Sequence, residues 1–162
     1  MFYDWPLKEA KAEARMNPNC PYVATAALCD FVLHEKDERI SCIRFLDTVE
    51  VTISPDAPDP LPPVTLEIRG LLSFKSGEFT GTKTLKIEPR GPSGELGKPA
   101  QTFPLTFKGN EHGANLILRL IIPISQEGLY YFDVSLDEEM VTRIPLRVRL
   151  KLTKPADAGP KN

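Results

Sequence analysis

The side chains of this chain that titrate or attack near neutral pH are two histidines, His34 and His112, and three cysteines, Cys20, Cys29 and Cys42. His34 abuts the charged run Glu35-Lys36-Asp37-Glu38-Arg39, and His112 sits in Lys108-Gly109-Asn110-Glu111-His112-Gly113. Both read as exposed loop residues rather than general bases. The cysteines are odd in number and lack CxxC spacing, which disfavours a disulfide framework and a structural zinc site alike. Cys29 and Cys42 read as small buried hydrophobes. Asp56 and Asp59 lie among prolines, too few and too stiffly separated to gather a calcium ion, which needs carboxylates from several loops. Asp137-Glu138-Glu139 has the spacing of a solvated hairpin tip. Gly91, Gly94 and Gly97 lack the following amphipathic helix that would hold a phosphate. GxSxG, HExxH, Walker and dinucleotide fingerprints are absent. The sequence therefore assigns no catalytic residue, metal ligand or cofactor.

Those residues must be positioned by strands. After Pro21 the apolar residues recur every second position, with Val23, Ala27, Cys29, Phe31 and Leu33 on one parity. The run from Ile40 to Ile53 is a second apolar stretch, bent or broken near Asp47. Ser54 to Pro63 holds five prolines in ten residues and reads as an extended surface connection. Alternation returns at Val64, Leu66 and Ile68, and at Leu85 and Ile87. Arg90 to Ala100 is a loop. Leu116 to Ile122 and Tyr130 to Leu136 alternate in turn, and Ile144 to Leu152 alternates against Pro145, Arg147, Arg149 and Lys151. Pro145, on the polar parity, predicts an edge or a bulge.

Only residues 6–16 read as helix, with Asp4 as cap and Asn17-Pro18 as stop. Leu7, Ala10 and Ala14 give that helix a thin apolar stripe. Residues 153–162 contain no apolar side chain larger than alanine and read as a disordered tail. Three segments follow: an N-terminal arm and short helix over 1–20, a β-sandwich over 21–152, and the tail. Seven to nine short strands without interleaved helices predict an antiparallel sandwich, because parallel strands would need crossovers.

Two resemblances sharpen the class. Gln126-Glu127-Gly128-Leu129-Tyr130-Tyr131-Phe132 resembles the tyrosine corner of immunoglobulin-like domains, with Phe132 where a cysteine commonly stands. It implies that Tyr130 buries its ring and returns its hydroxyl to upstream backbone. The segments Ala26-Ala27-Leu28-Cys29-Asp30-Phe31-Val32 and Ile40 to Val49, with the closing Gly128 to Val134, are similar to an uncharacterised family of small bacterial β-sandwich proteins. That similarity spans residues 22 to 152 and implies no activity. The fold class is thus all-β, an antiparallel immunoglobulin-like β-sandwich with a short N-terminal helix.

Charge and composition narrow the function classes. Of the residues 41% are apolar and 26% charged, and the net charge is −2. A general affinity for nucleic acid or anionic lipid is not expected. A run of about 18 apolar residues, as a bilayer span needs, is absent, and the start Met-Phe-Tyr-Asp-Trp-Pro lacks the features of a secretory signal, so the cytoplasm is the expected location. Two features fit a free monomer poorly. Phe2, Tyr3 and Trp5 cluster at a chain end, where burial needs a surface to repay the ordering cost. Leu129 and Tyr131 fall on the outward parity beside Arg147 and Arg149, a mixture of types enriched at interfaces. Either the N-terminal helix or a partner protein covers that face. The reading is a non-catalytic cytosolic binding or adaptor module. The alternatives are a phage- or particle-associated structural protein and, third, an enzyme.

Overall fold

The computed structural model describes residues 17–37, 39–97 and 100–153. The expected N-terminal helix, the aromatic cluster Phe2, Tyr3 and Trp5, and the tail beyond Thr153 lie outside the described residues. Among the described residues nine strands form two sheets: β1 (Tyr22–His34), β2 (Ile40–Phe45), β3 (Thr48–Ile53), β4 (Val64–Lys75), β5 (Thr80–Arg90), β6 (Gln101–Lys108), β7 (Gly113–Ile124), β8 (Gly128–Leu136) and β9 (Glu139–Leu152). The four-stranded sheet runs β2-β1-β4-β7 and the five-stranded sheet β3-β9-β8-β5-β6. The apolar run from Ile40 breaks between Phe45 and Thr48, near Asp47, and there the chain changes sheets.

The connectivity is that of an immunoglobulin-like sandwich. Taking β4 and β7 as its B and E strands leaves β5, β8 and β9 as C, F and G in the facing sheet, with β6 as the extra edge strand beside C. All ladders are antiparallel except that of β3 with β9, from Thr48 opposite Arg147 to Ile53 opposite Leu152. Beyond it, the Thr153 amide donates to the Ile53 carbonyl at 2.9 Å. The tyrosine corner is formed as the sequence resemblance implies: Tyr130 is buried and its hydroxyl donates to the Gln126 carbonyl at 2.9 Å.

Inward parity builds one core. Leu72, Phe74, Leu118 and Ile124 of the smaller sheet meet Leu85, Phe132, Val134 and Leu146 of the larger, all fully buried. Phe107 closes one end edge-on to Phe74, with ring centroids 6.1 Å apart. Gly128 opens β8 at φ +145, where a Cβ would meet the Pro92 ring at 2.8 Å, so the corner needs glycine twice over.

Prolines mark where pairing stops. Pro104 and Pro123 lie on the edge strands β6 and β7, and Pro89 and Pro145 lie where one flank of their strand has no ladder partner. A missing amide costs nothing at such places and blocks further strand addition. The edge strand β2 is interrupted instead by Arg44, at φ 53, whose guanidinium pairs with Asp30.

Candidate interaction faces

The outward face of the five-stranded sheet carries the predicted surface. Leu129 is half-buried opposite Arg147, and Tyr131 is half-buried opposite Pro145. Arg147 and Arg149 are exposed, opposite Thr48 and Glu50 of β3, and Lys151 rather than either arginine pairs with Glu50, at 3.2 Å. Leu129, Tyr131, Arg147 and Arg149 thus share one face, as the alternation requires. Phe2, Tyr3 and Trp5 belong to the residues not described.

Arg143, Asp133 and Arg90 join Tyr131 on this face. The Arg143 guanidinium lies 4.9 Å from the Tyr131 ring centroid and also binds Asp133, at 2.5 Å from Nε and 3.0 Å from Nη2. Arg90 Nε reaches the same carboxylate at 3.1 Å. The hydrogen bonds from Arg143 hold the Asp133 carboxyl below its ordinary range against the opposing effect of burial. The one available signal was Asp133 itself, a carboxylate on the outward parity of a central strand. Tyr131 is therefore partly covered by the sheet's own Arg143.

The opposite face is the barer one. The sequence parity of the first strand places Phe31 and Leu33 with Val23 in the core, and the structure reverses this. The ladder with β4 slips between Val23 and Thr25, so Ala26 and Leu28, opposite Leu72 and Gly70, point inward. Ala27, Cys29, Phe31 and Leu33 then share the outer face. Register carries that face across the sheet: Phe45 opposite Cys29, Ile43 opposite Phe31, Leu71 opposite both Ala27 and Ile117. Phe31, Leu33, Ile43, Phe45, Ile117 and Ile121 are between 40 and 67% exposed. Arg69 sits among them with its guanidinium 5.5 Å from the Phe31 centroid, and Arg119 Nη2 binds Glu67 at 2.8 Å.

Cys29 is the exception on this face, with no solvent exposure. Burial, reinforced by the neighbouring Cys42, pushes its thiol up to about 11, so it is a neutral thiol at physiological pH. Cys42 is half-buried, less enclosed than the sequence reading expects, and Cys20 is exposed.

The remaining chemistry-bearing residues do not converge. Where β1 leaves β4, Asp30, Glu67 and Arg69 line a small cleft from which His34 is absent. His112 is held through Nδ1 by the Gly109 carbonyl at 2.8 Å in its loop. Asp56 and Asp59 are exposed in the proline-rich connection. Among the described residues, no three His, Cys, Asp or Glu side chains come together as a metal set, and no helix is long and apolar enough to cross a membrane.

No curated protein matches the chain. Among solved structures, it is similar to an immunoglobulin-like protein from Pseudomonas aeruginosa, at 12% sequence identity, over 80% of this chain and 96% of that one, with a TM-score of 0.39. A family model described as a family of unknown function, DUF6941, matches residues 24–149, from the first strand into the last, and the chain belongs to that family.

Proposed function

We propose that the protein is a non-catalytic cytoplasmic binding module that engages another protein through the outer face of its four-stranded sheet. One observation carries the reading: six large apolar side chains stand exposed on a single sheet face, on strands β1, β2 and β7. Scattered apolar exposure is ordinary, whereas a contiguous group rimmed by polar residues marks an interaction site. The interruptions of three of the four edge strands support a face over an edge as the docking element, since β2, β6 and β7 carry Arg44, Pro104 and Pro123. The three free thiols fit a reducing compartment.

This relocates the predicted surface from the Leu129 and Tyr131 face to the opposite sheet. Co-purification from the native host tests it. Recovery of a bound protein falls at least tenfold for Ile117→Thr/Ile121→Thr and persists for Arg147→Glu/Arg149→Glu. The reverse pattern assigns binding to the five-stranded sheet and removes the proposal.

A further inference from the structure

Resting on that reading, we infer that the occupant of the four-stranded face is a short amphipathic segment of another protein, apolar along one side and flanked by carboxylates. Two observations select this occupant, the size of the apolar area and the sign of the charges within it.

The apolar area is narrow. Four strands spaced about 4.8 Å apart span about 14 Å, and the stretch from the Leu71 and Ile117 row to Leu33 is about 20 Å at roughly 3.3 Å per residue. The product is roughly 300 Å² in the plane of the sheet, the footprint of a single helix or ribbon rather than of a whole domain. A helix about 10 Å wide, or a two-stranded ribbon, fills such an area.

The charges on the face are mostly positive. Alternation and register place Glu67, Arg69 and Lys75 of β4 and Arg119 of β7 on the outer side, whereas the outward positions of β1 and β2 are uncharged. Glu67 is engaged by Arg119, and among the described residues Arg69 forms no ion pair, its guanidinium lying against Phe31. Lys75 donates to the Glu111 carbonyl at 3.4 Å. Arg69 therefore presents a cation held in no ion pair, against Phe31 and on the same outer side as Leu71, with Glu67 and Asp30 in the adjoining cleft, and a carboxylate arriving there with an apolar segment is desolvated and its pairing is strengthened.

Other occupants lack this complementarity. A second copy brings Arg69 and Arg119 against their own kind. The chain's residues 1–16 carry Asp4, Glu9 and Glu13 against Lys8, Lys11 and Arg15, a balance that gives no electrostatic preference for a cationic face.

Titration of the full chain with two synthetic 14-residue amphipathic peptides, one of Leu and Glu and one of Leu and Lys, tests the inference by calorimetry and by amide chemical shifts. The Leu/Glu peptide binds at least tenfold more tightly, weakens as salt rises, and perturbs Leu71, Ile117 and Ile121. Arg69→Glu removes at least tenfold of that affinity and raises affinity for the Leu/Lys peptide. Equal binding of both peptides, or none of the Leu/Glu peptide, overturns the acidic occupant. So does a dimer in sedimentation that Ile117→Thr/Ile121→Thr abolishes, or protection of Ile117 and Ile121 amides that disappears when residues 1–16 are deleted. In the last two cases the face is still a docking surface. Shifts confined to the five-stranded sheet, unaffected by Ile117→Thr/Ile121→Thr, refute the docking face itself.

Discussion

The guanidinium of Arg69 on β4 lies 5.5 Å from the centroid of the Phe31 ring on β1, across the line where the two strands part. Beyond Cys29 opposite Arg69, β1 pairs only with β2. The hairpin of β1 and β2 thus separates from β4, which runs on to Val64 paired with β7, and carries Phe31, Leu33, Ile43 and Phe45 on its outer side, with Arg69 tethering it through a cation–π contact worth about 0.5–1 kcal/mol at an exposed site. Arg69→Ala is expected to loosen this hairpin, seen as faster amide exchange at Phe31 and Ile43, with global stability changed by no more than about 1 kcal/mol.

Ile117→Thr/Ile121→Thr should leave stability within about 0.5 kcal/mol of the parent, since both side chains are already solvated on an edge strand. Denaturant unfolding measures this. A loss of several kcal/mol would show that the two residues are packed, and so unavailable to a partner.

Asp133 ties β5, β8 and β9 together through Arg90 and Arg143. Asp133→Asn is predicted to cost about 1.5–3 kcal/mol, the range for hydrogen bonds to charged groups. The sign of the pH dependence follows from the depressed carboxyl. Its stabilisation is complete above the ordinary aspartate value of about 4 and is lost as pH falls through the lower folded value. The stabilities of parent and variant should converge as pH falls through that lowered value.

Tyr130→Phe removes the hydroxyl that donates to the Gln126 carbonyl and keeps the ring in the core. The expected cost is about 0.5–1.5 kcal/mol. A larger loss in thermal unfolding would mean that the corner positions the β7 to β8 connection more strongly than one hydrogen bond accounts for.

Cys29 gives the opposite pH behaviour. Its protonated form is favoured in the folded state, so the contribution is full below the ordinary value of 9.0 and is lost as pH rises toward about 11. Cys29→Ala should flatten the decline in stability over that interval. Iodoacetamide at pH 8 should label Cys20 in the native protein and reach Cys29 only after unfolding.

The sandwich was legible because β7, β8 and β9 alternate cleanly: Leu116 to Ile122, Tyr130 to Leu136 and Ile144 to Val148 all point as their parity requires. The tyrosine corner added the immunoglobulin-like class, since Gly128 and Tyr130 are each demanded by local geometry. The apolar face was not legible, for a specific reason. A bulge between Val23 and Thr25 shifts the parity of everything after it, and one residue of slip exchanges the two faces of a strand. Both faces of β1 are apolar, so neither parity declared itself. The Arg90, Asp133 and Arg143 network was hidden because it joins three strands whose order no local pattern reveals. Pro145 was readable only as an edge or a bulge. Register shows that the parallel strand β3 begins to pair with β9 at Arg147, leaving that flank of Pro145 free.

A photo-crosslinking residue placed at Ile117 in the native host, compared with the same residue at Tyr131, tests the docking face most directly. A discrete heterologous adduct is expected from Ile117, mapped to an acidic amphipathic segment of the captured protein, and none from Tyr131. Adducts from Tyr131 with none from Ile117 would contradict the docking face.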